Sequence, residues 1–545
     1  MYQIFILLIF YFIILYSIIG YGRIYTLINF KYQASPFDGL FGIAILILIS
    51  YTTNIFFSHN YLHNLLIIGF GFIIFIFDFN KHFKKRILEY RNLSIIFLII
   101  FIGLLMYKNH DDFYYYHFPY TIILTNFEKV FGLGNLNHGF RTPSSIFYLN
   151  SLFYLPLIKY FLLNSGAAYI MGFSNFILFE KIKSSLKKKE YDHILFLSLA
   201  SLIYINSSFS RLAEHGTDRS ALILIFLMSL YYLESLKFKN INLNMQHFRN
   251  YFSKLAVLFA IIVSLKAFYL IYSVIFLLWF YQIREYLNFR QLSNLIFKSY
   301  SSYLFISIFL FTIFTIFSNT GCFIYPASFT CVENLNWSIP LQQIDQMHLW
   351  YEQWSKAGAG PNFRVENPEI YINNFNWVDN WIKNYFFTKV SDNLLVIIFV
   401  SLAFIFLFSF NLNTKNNTKP NYKLFYSSII LLLLEWFYNH PALRYGGYTL
   451  LALTFFIPIS IYISKFKFIP KIINKKIYLI LILATIIFIT KNFIRINKEI
   501  NQYSYNPFKS AFFYLNKDGF ILNDKVKNKY ENWNFQNKRY LIITN

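Results

Sequence analysis

The chain has 545 residues, 57% of them apolar and 14% charged, and 49 Lys+Arg against 25 Asp+Glu leave a formal net charge of +24. Soluble domains carry about 45–50% apolar and about 25% charged residues, and no water-soluble fold can cover this much apolar surface with so few charges. With a mean hydropathy of +0.44, the composition excludes a soluble enzyme, a disordered chain and a disulfide-stapled mini-protein, and points to a multi-span membrane protein.

Aromatic residues reach 22%, but Phe, Tyr, Ile, Asn and Lys are abundant together, as an A/T-rich genome would make them. The basic excess has an equally plain source. Lys and Arg gathered in cytoplasmic loops set topology and call for no nucleic-acid partner.

Apolar runs suited to crossing about 30 Å of hydrocarbon occur at 4–19, 39–57, 62–77, 94–107, 167–179, 194–205, 221–236, 300–317, 394–410, 425–437, 448–463 and 477–489. The first lacks a basic n-region and a small-residue cleavage site, so it reads as a retained span. The stretch 256–281 is too long for one upright helix and carries Lys266 at its middle. Basic clusters at 81–86, 181–189, 237–249, 284–298, 415–423 and 465–476 should face the cytoplasm. Stepping between them requires 256–281 to cross twice, as two short helices that break near Lys266. The expected fold is an all-α polytopic membrane protein with about fourteen transmembrane helices (roughly 11–14) and both termini outside. A broken helix needs neighbouring protein or a water-filled cavity to satisfy its backbone, so a cavity is expected near Lys266 on the outer side. Residues 1–490 would form the transmembrane domain, with large outer loops at 108–164 and 319–392. Residues 491–545 would form a polar extracytoplasmic tail.

The strongest local signal is His110-Asp111-Asp112-Phe113-Tyr114-Tyr115-Tyr116-His117. Adjacent carboxylates repel, which raises one pKa and suits a proton acceptor or a cation-binding pair. An acidic pair that merely ends a helix at headgroup level is the plainer alternative. The loop that follows mixes tight-turn glycines (Gly132, Gly134) with Asn135, His138, Arg141, Ser144 and Ser145, a density of donors and acceptors that anchoring does not need.

Lys266 would cost about 2.5–3.5 kcal/mol at mid-membrane, so it either faces an anion or cavity or snorkels to the interface. Arg211 and Arg219 stand in a short outer loop where orientation needs no cation. They either pair with Glu214 and Asp218 or contact phosphate or sugar, and His215 lies among them. Arg444, beside Tyr445 and the pair Gly446-Gly447, is suited to bidentate phosphate recognition. Histidines 110, 117, 138 and 215 lack zinc-site spacing; a divalent cation at Asp111/Asp112 stays open. Cys322 and Cys331 either close the 323–330 turn as a disulfide or remain thiols. Trp337, Trp350, Trp354, Trp377 and Trp381 suit an interface belt or the lining of a sugar cleft.

An acidic pair in the first large outer loop of a polytopic scaffold resembles the GT-C superfamily of integral-membrane glycosyltransferases. More narrowly, residues 112–117, Gly132-Leu133-Gly134-Asn135, Arg141, Ser144-Ser145, 214–219, Ser264-Leu265-Lys266, 321–326 and Arg444-Tyr445-Gly446 are similar to a family of uncharacterised bacterial membrane proteins placed near GT-C enzymes. The resemblance implies an inverting enzyme of the bacterial inner membrane. It would move a sugar from a polyprenyl-phosphate donor to a hydroxyl of a glycan, lipid or protein acceptor on the extracytoplasmic face, in cell-envelope polysaccharide biosynthesis. By motif position the general base is Asp111 or Asp112, and some GT-C enzymes use a divalent cation. Lys266, Arg211, Arg219 and Arg444 would serve the donor phosphate. Tyr116, His117, Asn135, His138, Arg141, Glu214, His215, Asp218 and Tyr445 would serve substrate binding. A transporter or lipid-linked sugar flippase is the main alternative, although it would show inverted repeats and paired broken helices. A polysaccharide polymerase or ligase is a further one.

Overall fold

The computed structural model describes residues 2–30, 35–110, 112–236, 245–360, 365–409 and 422–508. Asp111, much of the basic clusters 237–249 and 415–423, and tail residues 509–545 lie outside them. The fold is 78% helical, with no strand among the described residues, so the protein is all-α.

The first quarter of the chain is built on α1 (Tyr2–Phe30), α2 (Asp38–Asn54) and α3 (Tyr61–Leu104). Helix α3 starts where the Asn60 side chain accepts the His63 N–H. Its 44 residues would run about 66 Å if straight, twice a bilayer core. Instead the backbone leaves helical geometry at His82 and the helix folds back. The Phe75 and Tyr90 rings, about 22 Å apart along a straight helix, meet with centroids 5.3 Å apart. The basic cluster 81–86 is therefore the tip of a helical hairpin. Arg23 of α1 bonds Asp78 (3.0 Å) and Asp38 (3.3 Å), and Arg86 bonds the same two carboxylates (3.1 and 3.3 Å). This buried network ties α1, α2 and both arms of α3 together. Close crossing of α1 and α3 depends on Gly20, where a Cβ would lie 1.9 Å from the Gly71 carbonyl oxygen.

The centre is formed by α6 (Gly166–Lys188), α7 (His193–Ser208), α8 (Asp218–Ser235) and α9 (Met245–Leu265), while α4 (Phe118–Asn126) and α5 (Ser145–Ser151) belong to the preceding loop. Next come α10 (Ser273–Ile283), α11 (Phe289–Phe297), α12 (Tyr300–Thr320) and α13 (Leu341–Lys356). The chain continues through α14 (Pro368–Ile372), α15 (Val378–Trp381), α16 (Ser391–Phe408), α17 (Lys423–Asn439), α18 (Gly447–Ile463) and α19 (Pro470–Tyr503). The central helices α6 to α9 bury most of their side chains, whereas α3, α12, α16, α17 and α19 expose large apolar residues such as Leu98, Leu310, Phe399, Leu434 and Ile482. An apolar outer surface of this extent is what lipid contact requires.

Seven helices among the described residues are long and apolar enough to cross a membrane: Ile4–Asn29, Tyr61–Lys84, Arg86–Leu104, Met245–Leu265, Tyr300–Thr320, Val378–Phe408 and Pro470–Tyr503. The expectation of about fourteen also counts shorter runs. Of these, Asp38–Asn54, His193–Ser208, Ala267–Ile283 and Gly447–Ile463 are apolar helices of 10–17 residues; 17 residues reach only about 25 Å.

Within 256–281 the chain does break at Lys266. Helix α9 ends at Leu265, Lys266 is extended (φ −161°, ψ 122°), and a 3₁₀ segment at Ala267–Tyr272 leads into α10. The boundary expected at 490 falls inside α19, which continues because its polar residues find partners. Lys491 and Asn492 donate to the carbonyls of Ser207 and Ser210, Arg495 donates to that of Leu105, and Glu499 accepts the Tyr107 N–H.

Candidate functional site

The ends of α3, α7, α9, α12 and α17 and the starts of α8 and α18 meet the loops 108–164 and 319–392 at one end of the bundle. Three chain breaks bring charge there. Asp112 precedes a π-helical turn at Phe113–His117, a wide geometry common at functional sites. Lys266 sits in the extended link after α9. Arg444 lies on a 3₁₀ turn, Leu443–Tyr445, that closes through Gly446 at φ +121°, where a Cβ would also meet the Tyr272 hydroxyl at 2.3 Å. Only glycine suits that position.

Asp218, the first residue of α8, joins two of these breaks. Its Oδ1 receives Lys266 Nζ at 2.7 Å, and its Oδ2 receives Nε and Nη2 of Arg444, each at 2.7 Å. Burial alone would raise the Asp218 carboxyl, but Lys266 and Arg444 outweigh it and hold the pKa well below the usual carboxylate range. Tyr269 donates to the Arg444 carbonyl at 2.7 Å and fixes the turn. Arg444 Nη2 also lies 3.6 Å from Asp112 Oδ2, so one guanidinium bridges two carboxylates. The Asp112 N–H donates to His110 Nδ1 at 3.0 Å, which leaves that nitrogen unprotonated, and burial pushes the His110 pKa down. Lys266 Nζ lies 4.4 Å from the Tyr445 ring centroid, and the Arg444 guanidinium 5.6 Å from that of Trp354; both are cation–π contacts.

Of these groups Asp112, Lys266, Arg444, Tyr445 and Trp354 line one cavity of about 570 Å³, within the usual range for small-molecule sites. Loop 108–164 supplies Asp112, Tyr115, Tyr116, His138, Arg141 and Thr142. The broken helix supplies Lys266 and Phe268, and the 440–445 turn supplies His440, Arg444 and Tyr445. Loop 319–392 covers the remaining side with Tyr325 and with Met347, Trp350, Tyr351 and Trp354 of α13. Cys322 and Cys331 form a disulfide that closes the turn presenting Ile324, Tyr325 and Pro326.

Of the residues singled out in the sequence, Asp112, Tyr116, His138, Arg141, Lys266, Arg444 and Tyr445 therefore face one space, with Asp218 as the counter-ion behind two of them. The others have different occupations. Arg211 and Arg219 both pair with Glu214, at 2.6 and 2.7 Å. His215 bonds the Phe209 carbonyl at 2.7 Å, and Asn135 donates to the Trp337 carbonyl at 2.9 Å. His117 is buried beside Gly216. None of these six lines the cavity, and burial pushes His117 and His215 down to about 3. Trp377 and Trp381 are buried elsewhere.

Trp350 and Trp354, two of the tryptophans suited to a belt or a cleft, take the cleft position, and the sequence reasoning missed their α13 neighbours Met347 and Tyr351, although these recur with them at helical spacing. Among the described residues no group of three His, Cys, Asp or Glu is gathered as a metal site. Any cation at Asp112 would have to share it with the Arg444 guanidinium.

Residues 1–451 match the family described as a domain of unknown function (DUF8201), a span that contains every residue lining the cavity. No curated protein and no solved structure matches the chain.

Proposed function

The chain belongs to the DUF8201 family, and we propose that it is a membrane glycosyltransferase, similar to GT-C enzymes, with Asp112 as general base. The observation that carries this reading is the meeting of a carboxylate with two cations on the wall of one cavity: Asp112, Arg444 and Lys266. In the proposed step the acceptor hydroxyl gives its proton to Asp112 as its oxygen attacks C1 of the donor sugar. The C1–O bond to phosphate breaks, the electron pair leaves with polyprenyl phosphate, and the anomeric centre inverts. Lys266 and Arg444 meet the charge growing on the leaving phosphate. Asp218 holds both cations in position, and the aromatic walls from α13 and Tyr445 suit a sugar ring. The same proposal places the protein in the bacterial inner membrane with about fourteen crossings, the cavity facing outward.

The test is transfer by the full chain in nanodiscs, supplied with polyprenyl-phosphate sugars. Asp112→Asn should lower turnover about 10²–10⁴-fold, the usual contribution of a general base, and Asp111→Asn/Asp112→Asn should be inactive. Full turnover in the double variant, normally inserted, would remove Asp112 from this role. Movement of labelled lipid-linked sugar across the bilayer, with no glycosidic bond formed, would instead assign a flippase.

A further inference from the structure

Among the described residues three Lys or Arg side chains line the cavity, and two of them are held by carboxylates. Lys266 and Arg444 are engaged by Asp218, and Arg444 also approaches Asp112. Arg141 donates from Nε to the Gly134 carbonyl at 3.1 Å and from Nη2 to Gln343 Oε1 at 3.1 Å, both neutral acceptors. Among the described residues it has no carboxylate within ion-pair distance. A guanidinium carries five N–H donors, so Arg141 keeps donors to offer to a ligand. Gln343, an exposed residue of α13, has the shape of a glutamate without its charge. The position that could neutralise Arg141 therefore leaves the charge standing.

The location of this charge is informative. Asp112 and Arg141 line the same cavity as Tyr115 and His138, whose Nδ1 lies 3.1 Å from the Tyr115 hydroxyl. Loop 108–164 thus brings Arg141 and Asp112 into one cavity together with the Tyr115–His138 pair. Tyr325 lines the same cavity.

We infer that Arg141 forms an anion subsite for the acceptor, so that the molecule receiving the sugar carries a carboxylate or a phosphate near the attacked hydroxyl. This rests on the glycosyltransferase reading for the word acceptor; the subsite itself rests on the uncompensated charge. A charge-assisted hydrogen bond here contributes about 1.5–3 kcal/mol, or roughly 10–100-fold in affinity.

The experiment measures binding, not turnover, on the full chain in nanodiscs by saturation-transfer NMR. The probes are digalacturonate against its carboxyl-reduced neutral counterpart, and glycerol phosphate against glycerol. Farnesyl phosphate and farnesyl diphosphate report on the donor side. At least one anionic probe should bind about tenfold or more tightly than its neutral partner, and which one does so tells a carboxylate from a phosphate acceptor. Arg141→Gln should erase that preference and Arg141→Lys should keep most of it. Gln343→Glu, which removes no contact, should erase it too by giving Arg141 a carboxylate. Farnesyl phosphate binding should stay nearly unchanged in all three variants. A preference that survives Gln343→Glu and Arg141→Gln would overturn the inference. So would loss of farnesyl diphosphate binding with the acidic-probe preference intact, since Arg141 would then serve the donor. Failure of the catalytic reading would appear separately, as full turnover without Asp112.

Discussion

Asp218 offers the most direct test of the site's electrostatics. Its side chain is only 5% exposed, and its two oxygens take Lys266 and Arg444 at 2.7 Å. Asp218→Asn keeps the shape but leaves both cations without their main counter-ion. Removing one partner from a buried ion pair costs about 3–5 kcal/mol. Here the Lys266 and Arg444 side chains are 19% and 31% exposed to the cavity, so solvent screens part of the loss, and about 2–3 kcal/mol is expected. In detergent at pH 7 that should lower Tm by a few degrees; domains of 150–250 residues shift by roughly 2–4 °C per kcal/mol, and a longer chain shifts less. The contribution of Asp218 is pH-dependent with a definite sign. Its folded pKa is depressed, so the stabilisation is complete above about pH 4 and disappears only as pH falls below that. Neutral pH therefore reads the full effect. Since Asp218 competes with any phosphate for the same two cations, the variant should bind farnesyl phosphate more tightly while being less stable. An unchanged Tm, or weaker phosphate binding, would refute the assignment of Asp218 as shared counter-ion.

Two further outcomes follow from buried titratable groups elsewhere. His117 and His215 titrate near 3 when folded and near 6.5 when unfolded, so only the unfolded chain takes up protons between those values. Stability should fall as pH drops below about 6.5, by about 2 kcal/mol per histidine at pH 5; a Tm that stays flat from pH 7 to 5 would contradict their burial as neutral rings. At the hairpin tip, Arg23→Met leaves Asp38 and Asp78 facing each other with Arg86 alone between them. That should cost about 3–5 kcal/mol, visible as a lower Tm and reduced yield of folded protein, whereas a silent variant would show the network to be dispensable.

Parts of the site were legible because a charge inside an apolar run is conspicuous wherever its partner lies. Lys266 is such a case: an apolar stretch of that length with a lysine at its middle has to break, and it does. Asp112 and Arg444 were readable for a related reason, as charges beside spans with no role in orientation. The hairpin of α3 was half readable. Its two apolar arms were plain, but a return without any loop depends on one backbone departure at His82 and on ion pairs to α1 and α2.

Composition and the spacing of apolar runs determined by themselves that this protein is helical and suited to a membrane, because burial from water is a sum over residues and needs no partner to be specified. Only the tertiary structure decided which cations are free. Arg444 and Asp218 stand 226 positions apart, and Lys266 and Asp218 stand 48 apart, so no local pattern could join them, and the pairing of Arg211 and Arg219 with Glu214, one of two readings the local sequence offered, was selected only by the fold. Coulomb energy depends on distance in space, and the fold sets that distance; it spends Asp218 on two of the cavity's cations and leaves Arg141 with neutral partners.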